Sequence, residues 1–136
     1  VTLAEALLAP TRIYVQPILA LLAAFPTAVK AMVHVTGGGF QDNLPRVLPT
    51  HLQAVVRPDS WEWSPVITYV QTLGGFSAET MLNTFNCGIG FVLMVDATQA
   101  TAVAAWLKQT YPDAFEVFEI GVLATATETH PPVVFE

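Results

Sequence analysis

The stretch Lys30 to Val47, KAMVHVTGGGFQDNLPRV, constrains the fold of this chain more than any other. Lys30 to Thr36 alternates in character and is rich in β-branched side chains, the pattern of a strand. Three consecutive glycines follow. Phe40 to Val47 then fits a short helix, with acidic Asp42 near its start and Pro49 past its end. A strand that runs through Gly37, Gly38 and Gly39 into a helix leaves backbone N–H groups unshielded at a helix start, where an anion is favoured. A tight turn with no ligand explains the same residues, because glycine is the default wherever φ must be positive. The stretch fits neither standard nucleotide signature. No Gly-Lys-Ser/Thr follows the loop, and GGGFQD lacks the GxGxxG spacing.

The elements around this unit follow from periodicity and punctuation. Tyr14 to Phe25 reads as a helix, with Pro17 in its first turn and Pro26 as its stop. Gln53 to Arg57 reads as a strand ended by Pro58. Ser60 or Ser64 caps a helix through PVITYVQTL that Gly74 and Gly75 terminate, and Ser77 opens a short helix reaching Phe85. FNCGIG, Phe85 to Gly90, is a second glycine-bearing loop, in which Gly88 and Gly90 fit a bulge or sharp bend. Phe91 to Val95 is a nearly continuous apolar strand, of the kind covered on both faces. Thr98 is expected to cap a helix reaching Tyr111, with Val103, Trp106 and Leu107 on one side. Phe115 to Ala124 reads as a long strand and Val133 to Phe135 as a short terminal one. This order predicts one α+β domain over residues 1–136, a mixed β-sheet with helices packed on it.

Charge narrows the function. Charged residues make up 12% of the 136 and hydrophobic residues 53%, where a typical soluble domain is about a quarter charged. An apolar surplus of this size implies either a face covered by another domain or subunit, or an unusually large core. Five Lys plus Arg stand against eleven Asp plus Glu, a net charge of −6. With no basic cluster, nucleic acid is excluded as a partner. An anionic ligand would have to be held by backbone N–H groups and one or two arginines. Cys87 is the only cysteine, so there is no intrachain disulfide and no cysteine-built metal site, and a cytoplasmic location is expected. His34, His51 and His130 are too scattered for a short-range metal motif. Glu5, Pro10 and Arg12 interrupt the apolar opening stretch, which is therefore read as neither a signal peptide nor a membrane span.

Several side chains carry candidate chemistry. Arg46 can clamp a phosphate bidentately, or sit on the surface paired with a carboxylate. Asn43 lies one helical turn before it. His34 is either a satisfied strand histidine or a general acid or base. Cys87 reads better as a small buried thiol than as a nucleophile.

Taken in order, LLAPTRIYV (Leu7 to Val15), HVTGGGFQDNLPRVLP (His34 to Pro49), TFNCGIGFVLMV (Thr84 to Val95) and EIGVL (Glu119 to Leu123) resemble the C-terminal domain of the phosphoribosylformylglycinamidine cyclo-ligases, the aminoimidazole ribonucleotide synthetases. The resemblance implies a ligase of purine biosynthesis. Enzymes of that family use ATP and magnesium to activate a formyl amide oxygen, so that an internal nitrogen closes the imidazole ring and phosphate leaves. It also implies a two-domain active site, with ATP and magnesium held mainly by an N-terminal domain that these residues do not include. The 136 residues alone are then expected to be inactive and to bind neither cofactor nor metal, and the full-length enzyme to be a homodimer. By the same resemblance, Thr36, Gly37, Gly38, Gly39, Asn43 and Arg46 form the wall that holds the ribonucleotide phosphate. Arg12 and Asn86 are secondary, and His34 lines the cleft as a candidate catalytic group. Two alternatives stay open: another member of the superfamily, or a freestanding phosphate-binding or dimerisation module.

Overall fold

The computed structural model describes residues 1–127 and 129–136. Helix α1 (Leu3–Leu7) is closed by a capping box in which Thr2 and Glu5 satisfy each other's backbone N–H groups. These hydrogen bonds hold the Glu5 carboxyl below its usual range. The sequence reading missed this turn because it buries no residue and has no apolar period. Then come α2 (Val15–Ala24), β1 (Val29–His34), α3 (Gly39–Asn43), a 3-10 turn (Leu44–Arg46), β2 (Leu52–Val56), α4 (Pro65–Gly74), α5 (Ala78–Thr84), β3 (Phe91–Val95), α6 (Ala100–Thr110), β4 (Gly121–Thr125) and β5 (Val133–Phe135). The α+β class and the order of the expected elements match the sequence reading.

The strands form two sheets rather than one. β1 and β3 pair antiparallel, with His34 opposite Phe91 and Val33 opposite Val92. β2 is central in the other sheet, antiparallel to β4 and parallel to β5. Side-chain alternation gives β3 two covered faces, as its unbroken apolar sequence predicts. Val92 and Met94 join the larger core with Val33, Phe40, Leu44, Ala54, Val56, Met81 and Leu82. Leu93 and Val95 face the smaller one, where α2 and α6 contribute Leu21, Val103 and Leu107. Full burial of a side chain such as Leu21 contributes about 1.5–3 kcal/mol. The helices of the smaller core therefore hold one face of the β1–β3 ribbon, while its other face meets the second sheet's core.

Three expectations about local structure are corrected. Phe115 to Glu119 pairs with no strand and Ile120 contributes only its carbonyl, which accepts from Arg57 N–H, so the strand proper is Gly121–Thr125. The alternation before it reflects one-sided burial: Phe115 and Val117 pack on the smaller core while Glu116, Phe118 and Glu119 face solvent. Thr98 does not cap α6. Its N–H and hydroxyl both donate to the Asp96 carboxylate, which holds that carboxyl below its usual range, and Gln99 occupies the N-cap without a side-chain bond. The helix expected from Phe40 to Val47 is a short α-helical turn that tightens into 3-10 geometry at Leu44.

Candidate functional site

The two glycine-bearing loops meet. Gly38 N–H donates to the Thr84 carbonyl at 3.3 Å, and Gly39 N–H donates to the Thr36 carbonyl at 3.2 Å. At Gly39, an added Cβ would overlap the Leu82 carbonyl oxygen of α5 and crowd that of Phe85. At Gly38, it would run into the Asp42 side chain, which folds back over the start of α3. What the backbone approaches so closely is thus its own α5, not open space reserved for a ligand. Two of the three glycine amides are committed inside the fold, and a carboxylate already occupies the start of α3. Gly37 differs from both. It is exposed, and nothing lies within 4 Å of where its Cβ would stand.

Asn43 holds this loop from beneath. It is fully buried, and its amide nitrogen lies 2.7 Å from the Gly39 carbonyl and 3.3 Å from those of Thr36 and Gly37. Its side-chain oxygen accepts from the Thr36 hydroxyl at 3.3 Å. These contacts leave its side chain a positioning role: it shapes the loop and does not reach the surface. Sequence spacing put Asn43 and Arg46 together on one short helix, but the 3-10 turn gives them opposite environments. Arg46 is exposed, and its guanidinium makes no hydrogen bond or ion pair among the described residues.

The surface where the loops meet is an open cleft of about 350 Å³. His34, Thr36 and Gly37 line it from the first loop, Thr84, Phe85 and Asn86 from the second, with Thr11, Val35 and Ile67 completing the wall. Of the residues expected from the sequence, His34, Thr36, Gly37 and Asn86 come together here. Gly38, Gly39 and Asn43 support the cleft from behind, while Arg12 and Arg46 do not line it. Arg12 instead reaches across to donate to the Ala114 carbonyl, tying the segment before α2 to the turn after α6. Thr11, Ile67, Thr84 and Phe85 were missed because no motif marks them. Only the tertiary contact between the loops brings them to one place.

His34 is exposed at the end of β1, its ring stacked against Phe91 at 6.2 Å and edge-on to Tyr14 at 6.0 Å. Burial raises the Tyr14 phenol above its usual range, with Arg12 opposing. The Tyr14 hydroxyl lies where a side chain on Gly90 would stand, so Gly90 serves aromatic packing rather than a bend. Asn86 turns its own loop: its side-chain oxygen accepts from Gly88 N–H at 3.0 Å. Cys87 sits behind the cleft, fully buried at a φ of 49°, with its carbonyl accepting from the Trp61 indole at 2.9 Å. Burial pushes its thiol up to about 11. It is therefore protonated at neutral pH and not poised as a nucleophile.

Charge separates this cleft from a second one of about 360 Å³, lined by Asp59, Glu62 and Glu116 beside Trp61 and Phe118. Three carboxylates there repel an anion, whereas the first cleft contains none. For the same reason its donors do not suit magnesium, which takes hard oxygen ligands that include carboxylates. Among the described residues no group of three or more His, Cys, Asp or Glu is placed to hold a metal ion, and no helix is long and apolar enough to cross a membrane. Comparison with known families gives one finding: residues 1–127 match the family model described as AIR synthase related protein, C-terminal domain.

Proposed function

Since this chain belongs to the AIR synthase related protein family and corresponds to its C-terminal domain, we propose that it supplies the ribonucleotide-binding wall of an ATP-dependent cyclo-ligase that forms aminoimidazole ribonucleotide in purine biosynthesis. The observation that carries this reading is the convergence of Thr36–Gly37 with Thr84–Asn86 on one open, carboxylate-free cleft. The Asn86 side-chain NH2 offers donors to a sugar phosphate. The Thr36 and Thr84 hydroxyls, whose protons go to Asn43 and to the Thr80 carbonyl, offer lone pairs to sugar hydroxyls, and Gly37 lets the ligand approach the main chain. His34, held by two aromatic neighbours at the rim, is placed to exchange a proton with a bound substrate. Arg46 enters only as a long side chain that could reach a phosphate from outside the cleft. ATP and magnesium are assigned, in this proposal, to an N-terminal domain outside these residues.

The test is titration of this chain with ribose 5-phosphate, followed by amide resonances. Shifts are expected at Thr36, Gly37, Thr84 and Asn86, and Gly37→Ala should remove them at least about tenfold while changing stability by less than about 0.5 kcal/mol. Shifts confined to other surfaces, or none at millimolar ligand, would refute the assignment of the cleft.

A further inference from the structure

We propose that the outer edge of β4 is a self-association surface, on which a second copy of this chain pairs β4 against β4, antiparallel, about a two-fold axis through Leu123. This rests on the sheet and not on the ribonucleotide reading.

β4 is the terminal strand of the order β4-β2-β5. Its ladder phase is fixed at both ends, by Arg57 N–H to the Ile120 carbonyl and Ala126 N–H to the His51 carbonyl. The register between them runs without a shift. Alternation then commits Val122 and Ala124 to β2 and turns the N–H and C=O groups of Gly121, Leu123 and Thr125 outward. Exposed edges of this kind are normally blunted by lysine, proline, a bulge or a covering element. From Ile120 to Thr127 the sequence IGVLATAT has no proline and no charge. Val122 and Leu123, on opposite faces, are 54% and 42% exposed. Other edges differ: β5 is three residues long and follows Pro131 and Pro132, β1 carries Lys30, and β3, though uncharged, exposes none of its residues.

Charge selects the occupant. A chain of net charge −6 repels its own copy wherever carboxylates face each other, but this edge is neutral over eight residues. With the axis at Leu123, Gly121 faces Thr125 of the partner and the reverse, giving about six inter-chain hydrogen bonds. Leu123 packs on its own counterpart, and Val122 meets Ala124. The nearest carboxylate, Glu119, falls opposite Thr127 rather than another acid. The two three-stranded sheets become one six-stranded sheet with an isologous interface.

The test is sedimentation equilibrium of the chain up to about 1 mM, the regime of a weak interface. A monomer–dimer equilibrium is expected. Leu123→Lys and Leu123→Glu each place like charges face to face and should weaken association at least about tenfold. An equimolar mixture of the two should recover it, which a folding defect would not do. A wild-type chain that stays monomeric throughout, variants that dimerise as tightly as wild type, or a mixture without recovery would each overturn the proposal.

Discussion

At Gly39 the hydrogen in place of a side chain faces the Leu82 carbonyl oxygen of α5, whereas at Gly88 nothing lies within 4 Å of where a Cβ would stand. Both residues have positive φ, 56° and 101°. Both sit in loops that end at the same cleft. The first loop is fixed by packing: α5 against Gly39, Asn43 beneath, Thr84 bonded to Gly38. The second is packed at Cys87, which is buried and bonded by the Trp61 indole, but at Gly88 it depends on conformation, with Cys87 and Gly88 in succession at positive φ and the Asn86 side chain closing the turn. A glycine can thus mark a close approach or a backbone angle, and the two respond differently to substitution.

Gly39→Ala carries the largest expected effect. The new methyl group meets main-chain atoms that cannot rotate away, in addition to the backbone cost at positive φ, for a loss of about 3 kcal/mol or more. Urea unfolding reads it as a lower midpoint at unchanged slope. A loss below about 1 kcal/mol would mean that α5 yields, and the contrast between the loops would disappear.

Asn43→Ala comes next. It removes the buried amide and leaves the Thr36, Gly37 and Gly39 carbonyls short of a donor, at about 2 kcal/mol. Hydrogen exchange sharpens the test. Amides of Gly38 and Gly39 should lose protection well before those of β1, because the variant loosens the loop and not the strand. Equal loss in both would make Asn43 a general core residue rather than the support of this loop.

These residues also show how far sequence reaches. Strand, loop and helix at Lys30 to Asn43 were legible because β-branching, glycine and the proline stops act locally. The apolar run at Phe91 to Val95 correctly announced two covered faces, since each face meets its own core. What GGG approaches was not legible, because α5 lies some forty residues further along the chain and no local pattern encodes that contact. The same limit explains Asn43, whose burial depends on the loop folding over it, and Thr11 and Ile67, which reach the cleft only through tertiary packing. Phe115 to Ile120 failed for a different reason. Alternation reports which side chains are buried, and it does so whether or not a neighbouring strand exists to make a ladder.

Gly88→Ala should have the smallest effect of the three and isolates the conformational term. The site is exposed and open, so the methyl group touches nothing and the whole cost comes from an L-residue held at positive φ, about 1 kcal/mol. The sign of the effect can be inverted by chirality. A D-alanine placed at 88 by peptide ligation favours positive φ and narrows the unfolded ensemble, so it should match or exceed glycine in stability. If L- and D-alanine at 88 cost the same, position 88 is governed by contacts rather than by its backbone angle, and the contrast between Gly39 and Gly88 disappears.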